Sequence, residues 1–124
     1  MLNAEYLMIN KGENIQERGY RFALDIVRLV RKFPKNSEGF AVSSQLIRSV
    51  TSIPANLFEG SAGVSRKDFI QFVSVAKKSA VETKFWIRFS FDLGFVLETE
   101  FEKLIDENEQ IIKILSRIIL NAKQ

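Results

Sequence analysis

The sequence predicts an all-α protein, an antiparallel up-down-up-down four-helix bundle with a proline inside its second helix. Four stretches carry apolar residues at spacings of three and four, the pattern of an amphipathic helix. Pro34, Gly60 and Gly94 stand at the ends of the first three stretches, and short connections favour packing between sequential helices. With 124 residues, of which 46% are hydrophobic, we expect one domain, residues 1–124, with its own core.

The first predicted helix runs from about Glu13 to Phe33 and carries two apolar stripes. The first stripe is Tyr20, Ala23, Leu24, Val27 and Val30, and the second is Phe22, Ile26, Leu29 and Phe33. At about 100° per residue the stripes point roughly 130° apart, so one partner surface does not easily cover both. Either both face a tight bundle core, or the second stripe contacts another subunit. Residues 1–12, which precede this helix, are expected to be loosely ordered.

The second predicted helix covers about residues 40–59 and follows a turn at residues 35–39. Pro54 lies inside it, where it removes a backbone donor and presses its ring on the carbonyl of Val50. Apolar spacing continues across the proline, so one bent helix and two separate helices both remain open. We expect Glu59 to be a buried acid with Arg48 as its ion-pair partner.

The third predicted helix opens at a capping box formed by Ser65 and Asp68 and reaches about Leu93. Its core face consists of Phe69, Phe72, Val73, Ala76, Ala80, Thr83 and Ile87. Phe85 and Phe89 fall one turn apart on the opposite side, where a monomer would expose them to water. The pair therefore predicts a contact with another subunit.

The fourth predicted helix opens at Thr99, with Glu102 as the second member of a capping box. From Phe101 to Ala122, apolar residues repeat in a near-heptad seam that contains one polar member, Asn108. Such a seam is typical of the core of a bundle.

One flank of the third helix is basic. Arg66, Lys77, Lys84 and Arg88 lie within roughly 40° of one another, at about 100° per residue. Residues 65–88 hold six basic and two acidic side chains, a sum of +4, although the whole chain is only +3. The flank is either a nucleic-acid-binding stripe or a solvated surface that keeps the bundle soluble.

The composition argues against an enzyme. Histidine and cysteine are absent, which removes the commonest general base, the thiol nucleophile and the main metal ligands. We therefore expect no catalytic residue, no metal and no cofactor. No apolar run approaches the roughly 20 residues that span a bilayer, and no secretion signal is evident. We expect a cytoplasmic protein with no membrane partner.

A longer motif resembles a known family. It reads Gln45-x-x-Arg48-Ser49-x-x-Ser52-Ile53-Pro54-Ala55-Asn56-x-x-Glu59-Gly60, followed by Ser65-Arg66-x-Asp68-Phe69-x-x-Phe72 and Ala76-x-x-Ser79-x-x-Glu82. It is similar to the bacterial four-helix-bundle proteins associated with intervening sequences of 23S ribosomal RNA, and to the accessory variability protein of diversity-generating retroelements. The resemblance implies a homo-oligomeric ring, usually a pentamer, with a role in binding RNA or DNA. It marks Arg48, Ser49, Pro54, Ala55, Asn56, Glu59 and Gly60 as structural. A scaffold that docks a protein partner without nucleic acid is the alternative.

Overall fold

Four long helices make up most of the chain in the computed structural model, which describes residues 3–10 and 13–124. Helix α2 covers Ile15–Val30, α3 Ser37–Gly60, α4 Arg66–Asp92 and α5 Glu98–Lys123. A short helix, α1 (Asn3–Tyr6), and an antiparallel hairpin, β1 (Met8–Asn10) with β2 (Glu13–Asn14), precede them. Helix α3 packs on α2 and α4, and α4 packs on α5. The predicted all-α four-helix bundle is confirmed, while the small hairpin was not predicted.

Hydrogen bonds between α3 and α4 give the relative direction of the two helices. The hydroxyls of Ser49 and Thr83 are 2.9 Å apart, and those of Ser52 and Ser79 are 2.8 Å apart. A later residue of α3 thus meets an earlier residue of α4, so the two helices run antiparallel.

All four long helices contribute to one core. Its largest fully buried side chains are Phe22, Phe69, Leu7, Ile15, Ile26, Leu46, Ile53, Leu57, Ile87, Ile111, Leu115 and Val50. Ile111 and Leu115 belong to the near-heptad seam of the fourth predicted helix, which is therefore core. Ring pairs close one end of the bundle, since the centroids of Phe91 and Phe101 are 4.3 Å apart.

The described residues before α2 contact the bundle. Leu7 is fully buried, and its carbonyl accepts a 2.9 Å hydrogen bond from the amide of Ile15. The amide side chain of Asn3 donates to the carbonyl of Val64 at 2.9 Å. The stretch from Asn3 to Leu7 thus makes specific contacts with the bundle, and positions 1, 2, 11 and 12 lie outside the described residues. The expected loose order of residues 1–12 stays a prediction.

Helix α3 begins three residues before its predicted start. The side-chain oxygen of Asn36 accepts a 2.9 Å hydrogen bond from the amide of Gly39 and so caps the helix. The predicted turn at residues 35–39 is therefore partly helical. Polar capping residues and turn residues have the same composition, which is why the sequence alone did not separate them.

The two predicted capping boxes have different outcomes. Ser65 accepts a 3.1 Å hydrogen bond from the amide of Asp68, so the N-terminus of α4 is where the sequence placed it. Thr99 does not cap α5. The N-cap is Leu97, two residues earlier, and its amide donates to Glu100 at 3.2 Å.

Pro54 lies inside a single continuous helix, so the alternative of two separate helices is wrong. The proline is buried beside Gly19 of α2, where an added Cβ would sit 3.7 Å from the Cβ of Pro54. Helix α2 therefore packs on the proline-containing turn of α3 at a distance that also leaves room for an alanine at position 19. The bend at Pro54 stays a prediction.

Gly39 and Gly19 give a matched pair of tests with opposite signs. A Cβ at Gly39 would lie 1.9 Å from the carbonyl oxygen of Pro34, so Gly39→Ala should lower the free energy of unfolding by at least about 2 kcal/mol. A Cβ at Gly19 meets only ordinary contacts from 3.4 Å outward. Gly19→Ala should raise stability by up to about 1 kcal/mol through helix propensity. Urea unfolding at one protein concentration measures the free energy of unfolding of both variants. Equal changes in the two variants would show that position 39 has no steric clash that position 19 lacks.

Asn108 supplies a second stability test. Its side chain is fully buried, and neither polar atom has a hydrogen-bond partner among the described residues. An unpaired buried polar group costs roughly 1–3 kcal/mol. Asn108→Leu should therefore raise the free energy of unfolding by about 1–2 kcal/mol, whereas exposed Asn121→Leu should change it by less than about 0.5 kcal/mol. A destabilised Asn108→Leu variant would show that the amide contributes to folding.

Candidate functional site

Two members of the predicted basic stripe are ion-paired. The Lys84 ammonium lies 3.3 Å from a carboxylate oxygen of Glu109 on α5. The Arg88 guanidinium lies 3.7 Å from the carboxylate of Asp92, one turn later on α4. Both pairs are largely exposed to solvent, so each stabilises the fold only slightly and a phosphate can compete for the cation.

The other two members of the stripe differ from each other. The guanidinium of Arg66 lies 5.8 Å from the centre of the Tyr6 ring, in a cation–π arrangement. Lys77 is half-buried and, among the described residues, has no carboxylate within ion-pair distance. The stripe is therefore a row of mostly partnered cations, with Lys77 as its unpaired member.

Lys77 also belongs to a cluster that the sequence did not reveal. A groove of about 770 Å³ between α4 and the end of α5 is lined by Lys77, Lys78 and Lys123, here called the lysine cluster. Within the described part of the chain, none of the three forms an ion pair. Glu82 also lines the groove, but Arg48 already binds it. Lys123 is distant in sequence, and only the packing of α5 on α4 brings it to the cluster.

The second stripe of the first predicted helix is core, so its assignment to a subunit contact is wrong. Phe22, Ile26, Leu29 and Phe33 are all buried within a single chain. The Phe33 ring lies 5.2 Å from that of Phe95. Helices α3 and α5 approach α2 from two directions, which is how one chain covers the second stripe.

The first stripe is divided, since Ala23 and Val30 are buried whereas Tyr20 is exposed and Leu24 and Val27 are partly exposed. Tyr20, Ala23, Leu24 and Val27 of α2, with Thr51, Pro54, Ala55 and Phe58 of α3, line an outward groove of about 310 Å³. Tyr20 is 49% exposed and Phe58 is 44% exposed. We call this feature the apolar groove. It is a surface where apolar side chains from two helices remain in contact with water.

Phe85 and Phe89 point away from the core as predicted, with 56% and 42% of their surfaces exposed. Their rings are stacked with centroids 6.0 Å apart. Trp86 packs edge-on against both, at 4.9 and 5.8 Å. The three rings hold each other in place and form a preorganised aromatic block on α4. A contact of this block with another subunit stays a prediction.

The motif residue Ser49 helps to join α3 to α4. Ser49 is fully buried and bonded to Thr83, and Ser52 is bonded to Ser79. The amide of Asn56 donates to the carbonyl of Ser52 at 2.7 Å and to its hydroxyl at 3.0 Å. We call Ser49, Ser52, Ser79 and Thr83 the hydroxyl seam. The hydroxyls of these short side chains hydrogen-bond to each other across the two helices, so the polar groups at this contact have partners.

The predicted pair of Arg48 with Glu59 is wrong. Arg48 instead binds Glu82 of α4 and donates to the side-chain oxygen of Gln45 at 2.8 Å. Trp86 also donates to Glu82, at 3.3 Å. Glu59 is exposed. Helical spacing predicted that Arg48 is available for a pair, but the facing helix supplied the acid.

Gly60 matters for close packing. It lies within α3, and positive φ falls instead at Gly63 and Gly94. A Cβ at Gly60 would approach the Cβ of Phe72 to 3.1 Å. The glycine therefore lets the end of α3 meet the start of α4.

A cleft of about 460 Å³ between α2 and α5 gathers charges of both signs. Arg18 spans it with two hydrogen bonds to Glu107, at 2.7 and 2.8 Å, and a third to Gln110 at 2.6 Å. A bidentate pair of this kind joins two helices. Among residues 3–10 and 13–124, no group of three acidic side chains is placed to hold a metal ion.

The comparisons with known proteins agree with this architecture. The family model of the 23S rRNA-intervening sequence protein matches residues 12–117. The chain belongs to this family. A solved structure from Bacteroides thetaiotaomicron, described as a protein with unknown function from the S23 ribosomal protein family, is 31% identical. The match covers 85% of this chain and 97% of that one, with a TM-score of 0.79. A comparison with curated proteins yields no match.

No helix in the described ranges combines the length and the apolar character that are needed to cross a bilayer.

The hydroxyl seam yields a testable prediction. Thr83→Val keeps the shape of the side chain but leaves the buried Ser49 hydroxyl without its cross-helix partner, so stability should fall by about 1–2 kcal/mol. The double variant Ser49→Ala/Thr83→Val should cost less than the two single changes together, because neither hydroxyl is left behind. Exposed Thr99→Val is the control and should change stability by less than about 0.5 kcal/mol. Additive single effects in urea unfolding would contradict the coupling.

Proposed function

We propose that this protein is a non-enzymatic homo-oligomer that binds RNA or DNA weakly through phosphate contacts. The observation that carries the proposal is the lysine cluster, where three cations share a groove and form no ion pairs within the described part of the chain. Phosphate is the anion that such a surface attracts most generally. The description of its family, which names 23S rRNA, supports a nucleic-acid partner.

Oligomerisation is the second part of the proposal. The aromatic block and the apolar groove leave large apolar side chains in water. Covering such surface is worth roughly 25 cal/mol per Å², which can offset the entropic cost of association. The ring with five subunits comes from the family resemblance. Five copies at +3 each would carry +15, a far stronger field for a polyanion than one subunit has.

The absence of enzymatic chemistry rests on composition and on the clefts. Histidine and cysteine are missing from the sequence. In the cleft between α2 and α5, the carboxylate of Glu107 is engaged in an ion pair with Arg18. The competing function is a scaffold for a protein partner, which the apolar groove favours.

Charge-matched variants test the nucleic-acid proposal. Lys77, Lys78 and Lys123 are changed together to glutamine, and the control changes three other exposed basic residues, Lys32, Lys35 and Lys103, to glutamine. Fluorescence anisotropy with labelled single- and double-stranded RNA and DNA is recorded at about 50 and 200 mM salt. The cluster variant should bind at least about tenfold more weakly and with a smaller salt slope, because phosphate contacts are lost. The control should stay within about twofold.

A third variant, Lys84→Gln/Arg88→Gln, asks whether the predicted stripe contributes. Its loss should be smaller than that of the cluster variant, since both cations are already paired with acids. Light scattering confirms that each variant keeps the wild-type mass. If the cluster and control variants lost the same amount of affinity, binding would depend on net charge alone and not on the lysine cluster. No binding by the wild type at low salt would favour the scaffold.

A further inference from the structure

The large apolar side chains that remain exposed are concentrated on two surfaces. Of the eleven such residues in the described part of the chain, four follow one another at a constant spacing of four along α4 and its C-cap: Val81, Phe85, Phe89 and Leu93. We call these four the α4 ridge. Tyr20 and Phe58 line the apolar groove, and Phe40 and Ile47 lie on the same side of α3 outside the groove lining. Eight of the eleven thus lie on the ridge, in the groove or on the side of α3 that continues the groove.

We propose that the α4 ridge of one copy packs into the apolar groove of the next copy, so that one head-to-tail contact builds the oligomer. The inference rests on the proposed oligomerisation and names its interface. Side chains four residues apart form the ridge that commonly packs into a groove of a facing helix surface. The rings of Phe85 and Phe89 stack on each other and are exposed on the surface of α4, whereas the groove is a depression between α2 and α3.

The ridge also matches the exposed apolar side of α3 in length and polarity. The twelve steps from Val81 to Leu93 span about 18 Å. On α3 the groove lining from Thr51 to Phe58 spans about 10 Å, and the exposed apolar side that continues it, from Phe40 to Phe58, spans about 27 Å. The ridge therefore fits within the α3 face. In the groove, the hydroxyl of Thr51 already donates to the carbonyl of Ile47 at 2.7 Å. Burial of that hydroxyl would leave no unpaired donor.

A second copy of the chain can bury the apolar area of both the ridge and the groove. Aromatic side chains have about 150–250 Å² each, so the exposed parts of Phe85 and Phe89 total about 200 Å². A stable interface needs about 800 Å² per partner, which requires the rest of the ridge and the groove edges as well. Pairing of two ridges would leave the groove in water, whereas the head-to-tail contact covers both surfaces of every subunit. Unlike surfaces on identical chains give rings or filaments.

Two variants that each block one surface provide the test. The ridge variant is Phe85→Ser/Phe89→Ser, and the groove variant is Ala55→Arg; all three positions are exposed, and thermal unfolding checks that the fold is kept. By light scattering each variant alone should be a monomer of 14.2 kDa. An equimolar mixture should give a dimer of twice that mass, about 28 kDa. One intact groove then meets one intact ridge, and the blocked surfaces stop further growth.

The remaining outcomes separate this inference from the proposed function. Leu97→Ser/Leu120→Ser changes two exposed hydrophobic residues outside both surfaces and should keep the wild-type mass. If the groove variant keeps the wild-type mass, or if the mixture stays monomeric, the head-to-tail contact is wrong while oligomerisation stands. If the wild type itself is a monomer at micromolar concentration, the proposed oligomerisation and this interface both fail.

Discussion

The close approach of α3 to α4 is the constraint on which the other surfaces of the molecule depend. It is made by the hydroxyl seam, where short side chains permit contact and pair with each other, so that polar groups are buried without an unpaired cost. Gly60 extends the same close packing to the end of α3. Because the seam fixes the rotation of both helices about their axes, it also decides which residues face outward. The α4 ridge and the α3 side of the apolar groove lie on the sides of the two helices that face away from the seam.

Helical periodicity predicted those features that depend on one helix alone. The outward position of Phe85 and Phe89 follows from the core residues on either side of them, and the Ser65 cap follows from local sequence. Features that depend on two helices were not predictable. The two stripes of α2 are equally apolar, so only the positions of α3 and α5 decide that Phe22 is buried while Tyr20 is exposed. Likewise, the acid that binds Arg48 lies on the facing helix, not on its own.

The candidate binding residues show the same limit. The stripe on α4 could be drawn from angular positions alone, but its electrostatic character depends on neighbours. Lys84 pairs with an acid of α5, whereas Lys77 lines a groove that Lys123 of α5 also lines. Sequence spacing does not indicate which of the two lysines keeps an uncompensated charge, because the answer lies in the register between α4 and α5.

That register turns a charge gradient along α5 into a charge gradient along the face that α4 and α5 share. All six acidic residues of α5 occur by Glu109, whereas three of its four basic residues, Lys113, Arg117 and Lys123, come later. This order complements the helix dipole, which favours acids at the start and cations at the end. Because α5 returns along α4, its acidic half lies beside Lys84 and its basic half lies beside the lysine cluster. On the face formed by α4 and α5, positive charge is therefore concentrated at the end that holds the lysine cluster. In a ring with subunits aligned alike, those ends would fall on one face, and a polyanion would meet the charges of all subunits together.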